Sequence, residues 1–333
     1  MSTVFLGTTE FAADVLERLA ASDAYRPALV VTRPDRPSGR GRRLAAPPVA
    51  EAARRLGIAL EQPENVNDEQ SRAAIARAGS ESGAGGSNGA EDATDHVRRT
   101  VVVCAFGALI REPLLSEHDL LNVHPSLLPR WRGAAPIERA IMAGDARTGV
   151  SIMRLTAGLD SGPVCLTAEE PVLPDETYGS LAPRLSKLGG ELLVRALEER
   201  LPFVEQPSEG VTYAEKVGPE DRLLDPARPA VELERVVRGL HPHIGARVAL
   251  RDGTLLGVHR AALAPVDTAG GEGLGQSVLA DGDPSALGVT VRADRLLLDC
   301  AVGVLELLVV QPPGGRAMDA GAFLRGHGLP DER

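Results

Sequence analysis

Residues 100–106 read Thr-Val-Val-Val-Cys-Ala-Phe, an unbroken apolar run with β-branched residues at its centre. A strand with one solvent-exposed face alternates polar and apolar residues, whereas a strand buried on both faces does not. Strands of the second kind occur in parallel sheets that helices cover on both sides. This run is therefore predicted to be a central strand of an α/β sheet.

Strand patterns and amphipathic helix patterns alternate on both sides of this run. The predicted strands are 3–6, 28–32, 120–124 and 150–155. The predicted helices are 10–20, 49–56, 70–78, 134–143 and 178–199. Repeated strand–helix units with right-handed crossovers give a doubly wound, Rossmann-like α/β domain. Ligands of such sheets bind beyond the carboxyl ends of the strands, where Asn122, His124 and the turn at 106–109 are expected to lie.

The second half of the chain has a different pattern. A stretch with several prolines is followed by one predicted helix, 230–240, and by five short predicted strands, 246–251, 255–262, 288–293, 295–299 and 304–310. Short strands separated by turns rich in Gly, Asp and Pro predict a small antiparallel barrel, with an OB-like barrel favoured. We therefore expect an α/β domain over 1–200, a linker over 201–225 and an OB-like domain over 226–333. Low-complexity residues predict a flexible surface insertion at 78–98 and a long loop at 267–275.

The composition is that of a soluble globular protein, and the length favours two domains. Of 333 residues, 43% are hydrophobic and 25% are charged, and the formal net charge is −10. This acidic balance argues against a general nucleic-acid binder, which would normally be basic. Cys104, Cys165 and Cys300 are isolated, and each is predicted to be a buried, unreactive thiol. Neither a signal-peptide pattern nor an apolar run of ~20 residues occurs, so we expect a soluble cytoplasmic protein.

Asn122, His124 and Asp160 are the strongest catalytic candidates. Asn122 and His124 are two residues apart, so on a strand their side chains leave the same face. The loop that follows, Pro-Ser-Leu-Leu-Pro-Arg-Trp-Arg-Gly, is stiffened by two prolines, and Gly133 permits a close backbone approach. Asp160 lies in Gly-Leu-Asp-Ser-Gly. An amide that stabilises an oxyanion, an imidazole that handles protons and a carboxylate that orients the imidazole suit acyl transfer to an amine.

Each of these residues also has an ordinary structural interpretation. A bare Asn-x-His is more often a core asparagine and a surface histidine, and an isolated aspartate between glycines often forms an Asx-turn. The catalytic interpretation depends on whether the three side chains converge.

Residues 33–43 form a basic loop with a single acid, Asp35. Its arginines are Arg33, Arg36, Arg40, Arg42 and Arg43. A basic run is usually a solvated, mobile loop. The prolines and glycines within this one favour a shaped loop that could enter the end of an RNA.

The run Asn-Val-His-Pro-Ser-Leu-Leu-Pro-Arg-Trp-Arg-Gly-Ala-Ala-Pro-Ile at 122–137, with Gly-Leu-Asp-Ser-Gly after it, resembles the formyltransferase family that uses 10-formyltetrahydrofolate. Further motifs spread the resemblance over nearly the whole chain: Gly-Thr-Thr-Glu-Phe-Ala at 7–12, Thr-Arg-Pro-Asp-Arg-Pro-Ser-Gly-Arg-Gly-Arg-Arg-Leu at 32–44, Thr-Tyr-Ala-Glu-Lys at 212–216 and Gln-Pro-Pro-Gly-Gly-Arg-Ala-Met at 311–318. The 32–44 loop and the Arg-Trp-Arg-Gly-Ala-Ala-Pro segment resemble the members that act on tRNA. The resemblance implies metal-independent formyl transfer to the α-amine of methionine on initiator tRNA, through a tetrahedral intermediate.

Taken residue by residue, the resemblance implies three groups of site residues. The catalytic trio falls on Asn122, His124 and Asp160. The folate-binding residues are implied to be Ser126, Leu127, Leu128 and Pro129, with the pterin pocket completed by Phe106, Gly107 and Leu109. The tRNA contacts are implied to be Arg42, assisted by Arg36, Arg40 and Arg43. We expect a monomer, since no coiled-coil or long edge pattern favours association.

Two segments depart from the resembled family. Thr9 stands where the family usually has proline, at the start of a predicted helix. His241-Pro-His243 replaces a more aromatic Asn-Pro-Trp-Pro segment, and its two histidines alone do not predict a metal site.

The residues leave other functions open. Enzymes of the same superfamily use an amino-sugar nucleotide or glycinamide ribonucleotide as acceptor, and the basic loop argues more firmly against the ribonucleotide. A hydrolase would share the trio without needing an RNA-binding loop. An RNA-binding protein with an inactive α/β domain is disfavoured by the intact trio. A nicotinamide-dependent dehydrogenase is disfavoured because no G-x-G-x-x-G follows the first strand.

Overall fold

A computed structural model describes residues 3–38, 43–78, 99–265 and 287–327. These residues divide into two compact units. The first takes its residues from Met1–Pro136, Arg147–Pro171 and Ala182–Ala214, and the second from Ile137–Ala146, Val172–Leu181 and Glu215–Arg333.

The first unit is built on a seven-stranded sheet. Its strands are β1 Thr3–Gly7, β2 Pro27–Val31, β5 Ala59–Glu61, β6 Thr100–Cys104, β7 Asp119–His124, β9 Arg147–Arg154 and β10 Val164–Pro171. Their order is β10-β9-β7-β6-β1-β2-β5, with parallel pairing from β7 to β5 and antiparallel pairing of β9 and β10. Every residue of β1 and β6 is buried, as expected for central strands covered on both faces. The predicted doubly wound α/β fold is confirmed.

Two short strand pairs supplement this sheet. They are the antiparallel pair β3 Arg36–Ser38 with β4 Arg43–Ala45, and the parallel pair β8 Arg132–Gly133 with β11 Tyr213–Ala214.

The helices up to residue 199 follow the predicted amphipathic patterns, with the short α4 in addition. They are α1 Glu10–Ala20, α2 Pro48–Leu56, α3 Glu69–Arg77, α4 Leu114–Glu117, α5 Pro136–Ala143 and α6 Tyr178–Glu199. Thr9 is the N-cap of α1, and its side chain accepts the Ala12 N–H at 3.4 Å. A hydroxyl at this position satisfies one of the free donors of the helix start, which explains how threonine can replace proline there.

The second unit is built on an antiparallel β-sheet. Its strands are β12 Ala246–Ala249, β13 Leu255–Leu263, β14 Gly288–Arg292, β15 Arg295–Asp299, β16 Val304–Gln311 and β17 Met318–Asp319. The sheet order is β12-β13-β16-β15-β14, and β17 also pairs with β16. Besides most of α5 and the first residues of α6, its helical elements are α7 Ala230–Leu240, α8 Ala320–His327 and a 3-10 turn at Glu220–Arg222. Leu233, Val237, Leu298 and Leu307 belong to one buried cluster of this unit. The expected small antiparallel domain is confirmed in the form of a curled half-barrel.

The strand pattern of the sequence does not predict β5 and β10, the two edge strands of the first sheet. β10 exposes alternate residues, and β5 is only three residues long. An edge strand is partly solvated and needs no continuous apolar run, so its sequence signal is weak. Residues 79–98 of the predicted insertion and the predicted loop at 267–275 lie outside the described residues.

All three cysteines are free thiols. Cys104 and Cys300 are buried and Cys165 is half-buried. Burial raises the pKa of the Cys104 and Cys165 thiols and raises the pKa of Cys300 to about 12. Thiols with raised pKa values are poor nucleophiles, as predicted for all three, although the predicted burial is confirmed only for Cys104 and Cys300.

Among the described helices, none is both long enough and apolar enough to cross a membrane.

Candidate active site

Asn122 and His124 lie on β7, between β6 and β9 of the first sheet. In the register of β7 with β9, Asn122 pairs with Met153 and His124 with Ser151. Both side chains are almost fully buried, with exposures of 9% and 4%. A buried amide and a buried imidazole need hydrogen-bond partners, and here the partners come from two loops.

Asp160 brings a carboxylate to both side chains. Asn122 Nδ2 donates to Asp160 Oδ1 at 3.4 Å, and His124 Nδ1 lies 3.7 Å from Asp160 Oδ2. The Asp160 side chain is only 12% exposed. The structure therefore brings together the three side chains that the sequence singles out.

The strand pattern of the sequence does not indicate how the chain reaches Asp160. β9 runs antiparallel to β7 and ends at Arg154, which pairs with Leu121 near the start of β7. The loop after β9 must turn back for Asp160 to meet His124 at the other end of β7. Asp160 has a φ of +43°, in the left-handed region that aspartate tolerates better than most residues.

Both ring nitrogens of His124 face acceptors. Nε2 lies 2.9 Å from the carbonyl oxygen of Trp131, and because a carbonyl only accepts, Nε2 carries a proton in this contact. Nδ1 faces the Asp160 carboxylate without a direct hydrogen bond. A doubly protonated imidazolium would thus have an acceptor near each N–H and a counter-charge beside it.

The loop after β7 is tied both to the carboxylate and to a later segment of the chain. The Gly133 N–H donates to Asp160 Oδ2 at 2.8 Å. The Trp131 N–H donates to Thr212 Oγ1 at 2.9 Å, and the Ala134 N–H donates to the Ala214 carbonyl oxygen at 2.8 Å. The Thr-Tyr-Ala part of the 212–216 motif therefore holds the backbone of the site loop.

Gly133 occupies a position where a side chain would not fit. Its φ is +122°, and a Cβ would lie 2.7 Å from the Ala214 carbonyl oxygen. We expect Gly133→Ala to lower the free energy of unfolding by about 2–3 kcal/mol, because strain and clash act together. Displacement of the Gly133 N–H would also remove its hydrogen bond to the Asp160 carboxylate.

Gly210→Ala is the matched control for this prediction. Gly210 has a φ of +76°, but a Cβ there would meet nothing within 4 Å. The control should show only the conformational cost, about 1 kcal/mol. Urea unfolding measures both variants, and equal losses would contradict the steric role of Gly133.

Gln206 and Thr212 support the site, although neither is among the predicted site residues. Both lie in the stretch predicted to be a linker, yet Gln206 bonds the backbone of Asp160 and Thr212 bonds that of Trp131. The resembled motif at 212–216 is a signal for Thr212. No comparable signal marks Gln206.

The residues implied to bind folate follow β6 and β7, which are adjacent parallel strands. Phe106 is buried, Gly107 has a φ of +69°, and Leu109 is 66% exposed. Leu128 and Pro129 are half-buried in the loop after β7, where they are joined by a cis peptide bond. Because the carboxyl ends of adjacent parallel strands share one edge of a sheet, the two groups border the same edge.

Ser126 shapes the loop after β7 from within. It is fully buried, and its hydroxyl donates to the Arg130 carbonyl oxygen at 2.6 Å. The Ser151 hydroxyl donates to the Ser126 carbonyl oxygen at 2.8 Å and accepts the Leu128 N–H at 3.2 Å. Leu127 packs so close to Gly149 that a Cβ there would lie 2.5 Å from its Cδ2. In this conformation the Ser126 hydroxyl therefore stabilises the loop itself.

The base of the basic loop is a β-hairpin. Arg36 is exposed on β3, and Arg43 belongs to the backbone of β4. Gln62 anchors the approach to the hairpin by donating to the Arg33 carbonyl oxygen at 2.9 Å and to Asp35 Oδ1 at 2.7 Å. The tip of the basic loop, with Arg40 and Arg42, lies outside the described residues.

His243 has protein partners in the second unit, and the His241 ring lies edge-on to that of His259, with centroids 6.0 Å apart. His243 Nε2 lies 2.9 Å from Glu138 Oε1, and its ring stacks on Tyr178 with centroids 3.7 Å apart. Burial, with His259 and His243 nearby, lowers the pKa of His241. In the described part of the chain, no group of three or more His, Cys, Asp or Glu side chains is placed to hold a metal ion.

Comparisons with known proteins cover both halves of the chain. The family described as Formyl transferase matches residues 1–197, and the Formyl transferase C-terminal domain matches residues 216–328. The methionyl-tRNA formyltransferase of Halorhodospira halophila (strain DSM 244 / SL1) is 40% identical over 334 residues, which cover 98% of this chain and 96% of that relative.

Solved structures share the fold. The sugar 3N-formyl transferase WlaRD, determined in the presence of dTDP and 5-N-formyl-THF, aligns with a TM-score of 0.60 and 13% identity, over 92% of this chain and 96% of its own. Methionyl-tRNA formyltransferase from Clostridium thermocellum aligns with a TM-score of 0.55 and 13% identity, over 79% of this chain and 93% of its own. At these identities the alignments establish a common architecture of the two domains.

Proposed function

The chain belongs to the formyl transferase family and is a formyl-transferring enzyme, and on this premise we propose that it formylates the α-amine of methionine on initiator methionyl-tRNA. The proposed donor is 10-formyltetrahydrofolate. Similarity to a methionyl-tRNA formyltransferase along nearly the full length supports this acceptor over an amino sugar. We expect the enzyme to act as a monomer in the cytoplasm, where charged tRNA is used.

The observation that carries the proposal is the buried contact of Asn122, His124 and Asp160. Asp160 lies 3.4 Å from Asn122 Nδ2 and 3.7 Å from His124 Nδ1. Burying three polar side chains together costs folding free energy unless they are paired, and such clusters often mark functional sites. The neighbouring carboxyl edge of β6 and β7 carries exposed or half-buried apolar groups at Leu109 and Leu128. An apolar edge beside a few convergent polar groups is the usual make-up of a small-molecule site, and it suits the flat pterin ring of the donor.

The trio can be given roles that balance the reaction. The amine nitrogen attacks the formyl carbon, and the formyl oxygen gains negative charge in a tetrahedral intermediate. Asn122 Nδ2 and, in the imidazolium form, His124 Nδ1 would donate to this oxygen, because their contacts with Asp160, at 3.4 and 3.7 Å, do not take up these N–H groups in full. Asp160 would balance the charge of the imidazolium and accept the proton that the amine loses. The bond from the formyl carbon to N10 then breaks, and N10 takes up the proton that Asp160 accepted, which restores the carboxylate.

A single-turnover assay with 10-formyltetrahydrofolate tests the proposal. Charged initiator tRNA and a panel of amino sugars serve as competing acceptors. Formyl-methionyl-tRNA should form, and the sugars should remain unmodified. Transfer to a sugar alone would contradict the tRNA acceptor but keep the donor, and release of formate without an acceptor would indicate a hydrolase.

The basic loop gives a separate prediction about the tRNA. Arg42→Ala should weaken tRNA binding and reduce the slope of log K against log salt by about one phosphate contact. Arg195→Ala is a suitable control, since Arg195 is an exposed arginine on α6 that pairs with Glu199. Filter binding between low and moderate salt measures both variants. An unchanged affinity and salt slope for Arg42→Ala would contradict the role of this loop.

A further inference from the structure

Gln206 uses every hydrogen-bonding position of its side-chain amide. Nε2 donates to the carbonyl oxygens of Asp160 and Gly162, each at 2.8 Å. Oε1 accepts from Arg132 Nε at 3.0 Å and from Arg132 Nη2 at 2.7 Å. An amide has two N–H groups and two oxygen lone pairs, so all four are satisfied. Its orientation is therefore fixed, because the opposite one would set oxygen against two carbonyls and NH₂ against a guanidinium.

These bonds join the two loops that surround the imidazole of the trio. On one side is the turn that presents the Asp160 carboxylate. On the other is Arg132, which lies between Trp131, whose carbonyl oxygen contacts the imidazole, and Gly133, whose N–H contacts the carboxylate. Gln206 thus fixes the distance between the two loops without touching the reacting groups.

The backbone near Gln206 is itself anchored to the Asp160 loop. Val164 and Val204 exchange two backbone hydrogen bonds, at 2.8 and 2.9 Å. The Arg154 N–H donates to the Pro163 carbonyl oxygen at 2.9 Å, which closes the loop onto the end of β9. A side chain carried by an anchored backbone transmits that rigidity to the carbonyls it binds.

We propose that Gln206 is a positioning residue that holds the Asp160 carboxylate against His124. The inference rests on the proposed function, since Gln206 acts on the reaction only through Asp160. Asp160 has a φ of +43°, and such a backbone conformation persists only where its surroundings hold it. Without the two bonds from Gln206 the turn would relax, and Oδ2 would move from its position 3.7 Å from His124 Nδ1.

The test is a double-mutant cycle between Gln206→Met and Asp160→Asn in the full-length protein. The readout is the single-turnover rate of formyl transfer to methionyl-tRNA. Methionine keeps the length of the side chain and removes all four hydrogen bonds. Gln206→Met alone should lower the rate by about 10- to 100-fold, with little change in the KM for tRNA. In the Asp160→Asn background the further loss should be less than about threefold, because residues that act through one group are not additive.

Two further readouts separate positioning from a general structural effect. The pH–rate profile of Gln206→Met should be displaced in the same direction as that of Asp160→Asn, whereas a loss of folded protein only scales the profile. Trp131 is the one tryptophan of the chain, so its fluorescence reports the loop beside Arg132. Acrylamide should quench it more strongly in the Gln206→Met variant.

Gln311→Met is the matched control. Its side chain also donates to a carbonyl, that of Gly315 at 2.9 Å, and accepts from His259 at 2.8 Å. This variant should leave the transfer rate unchanged. If Gln206→Met does not fold, Gln206→Glu takes its place, since it keeps the acceptor for Arg132 but presents oxygen to two carbonyls.

The outcomes distinguish this inference from the proposed function. Equal rate losses in both backgrounds, or a pH–rate profile that is not displaced, would overturn the positioning role of Gln206 and leave the proposed function standing. A wild-type rate for Asp160→Asn would overturn the assigned role of Asp160 itself and, with it, the positioning role of Gln206.

Discussion

Replacing His124 by alanine is expected to lower the single-turnover rate of formyl transfer by about 10²–10⁴-fold. The imidazole lies between the Trp131 carbonyl oxygen and the Asp160 carboxylate, so it is held in orientation and can carry a positive charge. The substitution removes an oxyanion donor and, at the same time, the positive charge that the Asp160 carboxylate would balance. Rapid-quench measurements at saturating concentrations of both substrates isolate this chemical step from binding.

His118→Ala is the control for the loss of a buried histidine. His118 and His124 are equally buried, each with 4% exposure. His118 Nδ1 accepts the Arg99 N–H at 3.4 Å, so its loss should reduce stability but not the rate per folded molecule. A folded His124→Ala variant that keeps its rate within about threefold of wild type would contradict the catalytic assignment.

Asn122→Ala is expected to lower the rate by about 10²–10³-fold, mainly through kcat. Its Nδ2 group donates to Asp160 Oδ1 at 3.4 Å, which leaves the second N–H of the amide available to a developing oxyanion. That interaction strengthens only as charge forms on the formyl oxygen, so it lowers the barrier more than it favours substrate binding.

Asn122→Asp serves as the matched comparison. An aspartate has a similar shape but would place a second carboxylate where the amide now meets Asp160, and it could accept but not donate. We therefore expect it to be at least as slow as Asn122→Ala. Steady-state kinetics and thermal unfolding check both variants, and a raised KM with unchanged kcat would show that Asn122 serves in substrate binding instead.

Much of the fold follows from local patterns in the sequence. The apolar run at 100–106 predicts a strand with two buried faces, and β6 is buried along its whole length at the centre of the sheet. The amphipathic spacing at 10–20 predicts α1 with the same bounds. These signals are strong because burial on both faces, or on one stripe of a helix, constrains every residue of the element. Edge strands such as β10 escape prediction because solvent relaxes that constraint.

The candidate trio is also visible in the sequence, although its convergence is not. Asn122 and His124 share a strand, so their common face follows from the two-residue repeat alone. Asp160 lies on another loop, and neither its spacing nor its neighbours fix the direction of β9. The sequence determines which three side chains have suitable chemistry, and the return of the loop after β9 towards the carboxyl end of β7 decides that they meet.

What only the tertiary structure decides is how that chemistry is held. The Trp131 carbonyl oxygen and the Gly133 N–H are backbone groups, which every residue except proline carries in the same form and which no pattern of side chains marks. Gln206 is an ordinary polar residue by composition, and it contacts partners 46 and 74 residues away in the chain. Local periodicity arises from contacts within one element, so it carries no record of such distant hydrogen bonds. The sequence determined the two domains and the three candidate catalytic side chains, and chain packing decided the distances and orientations of that trio.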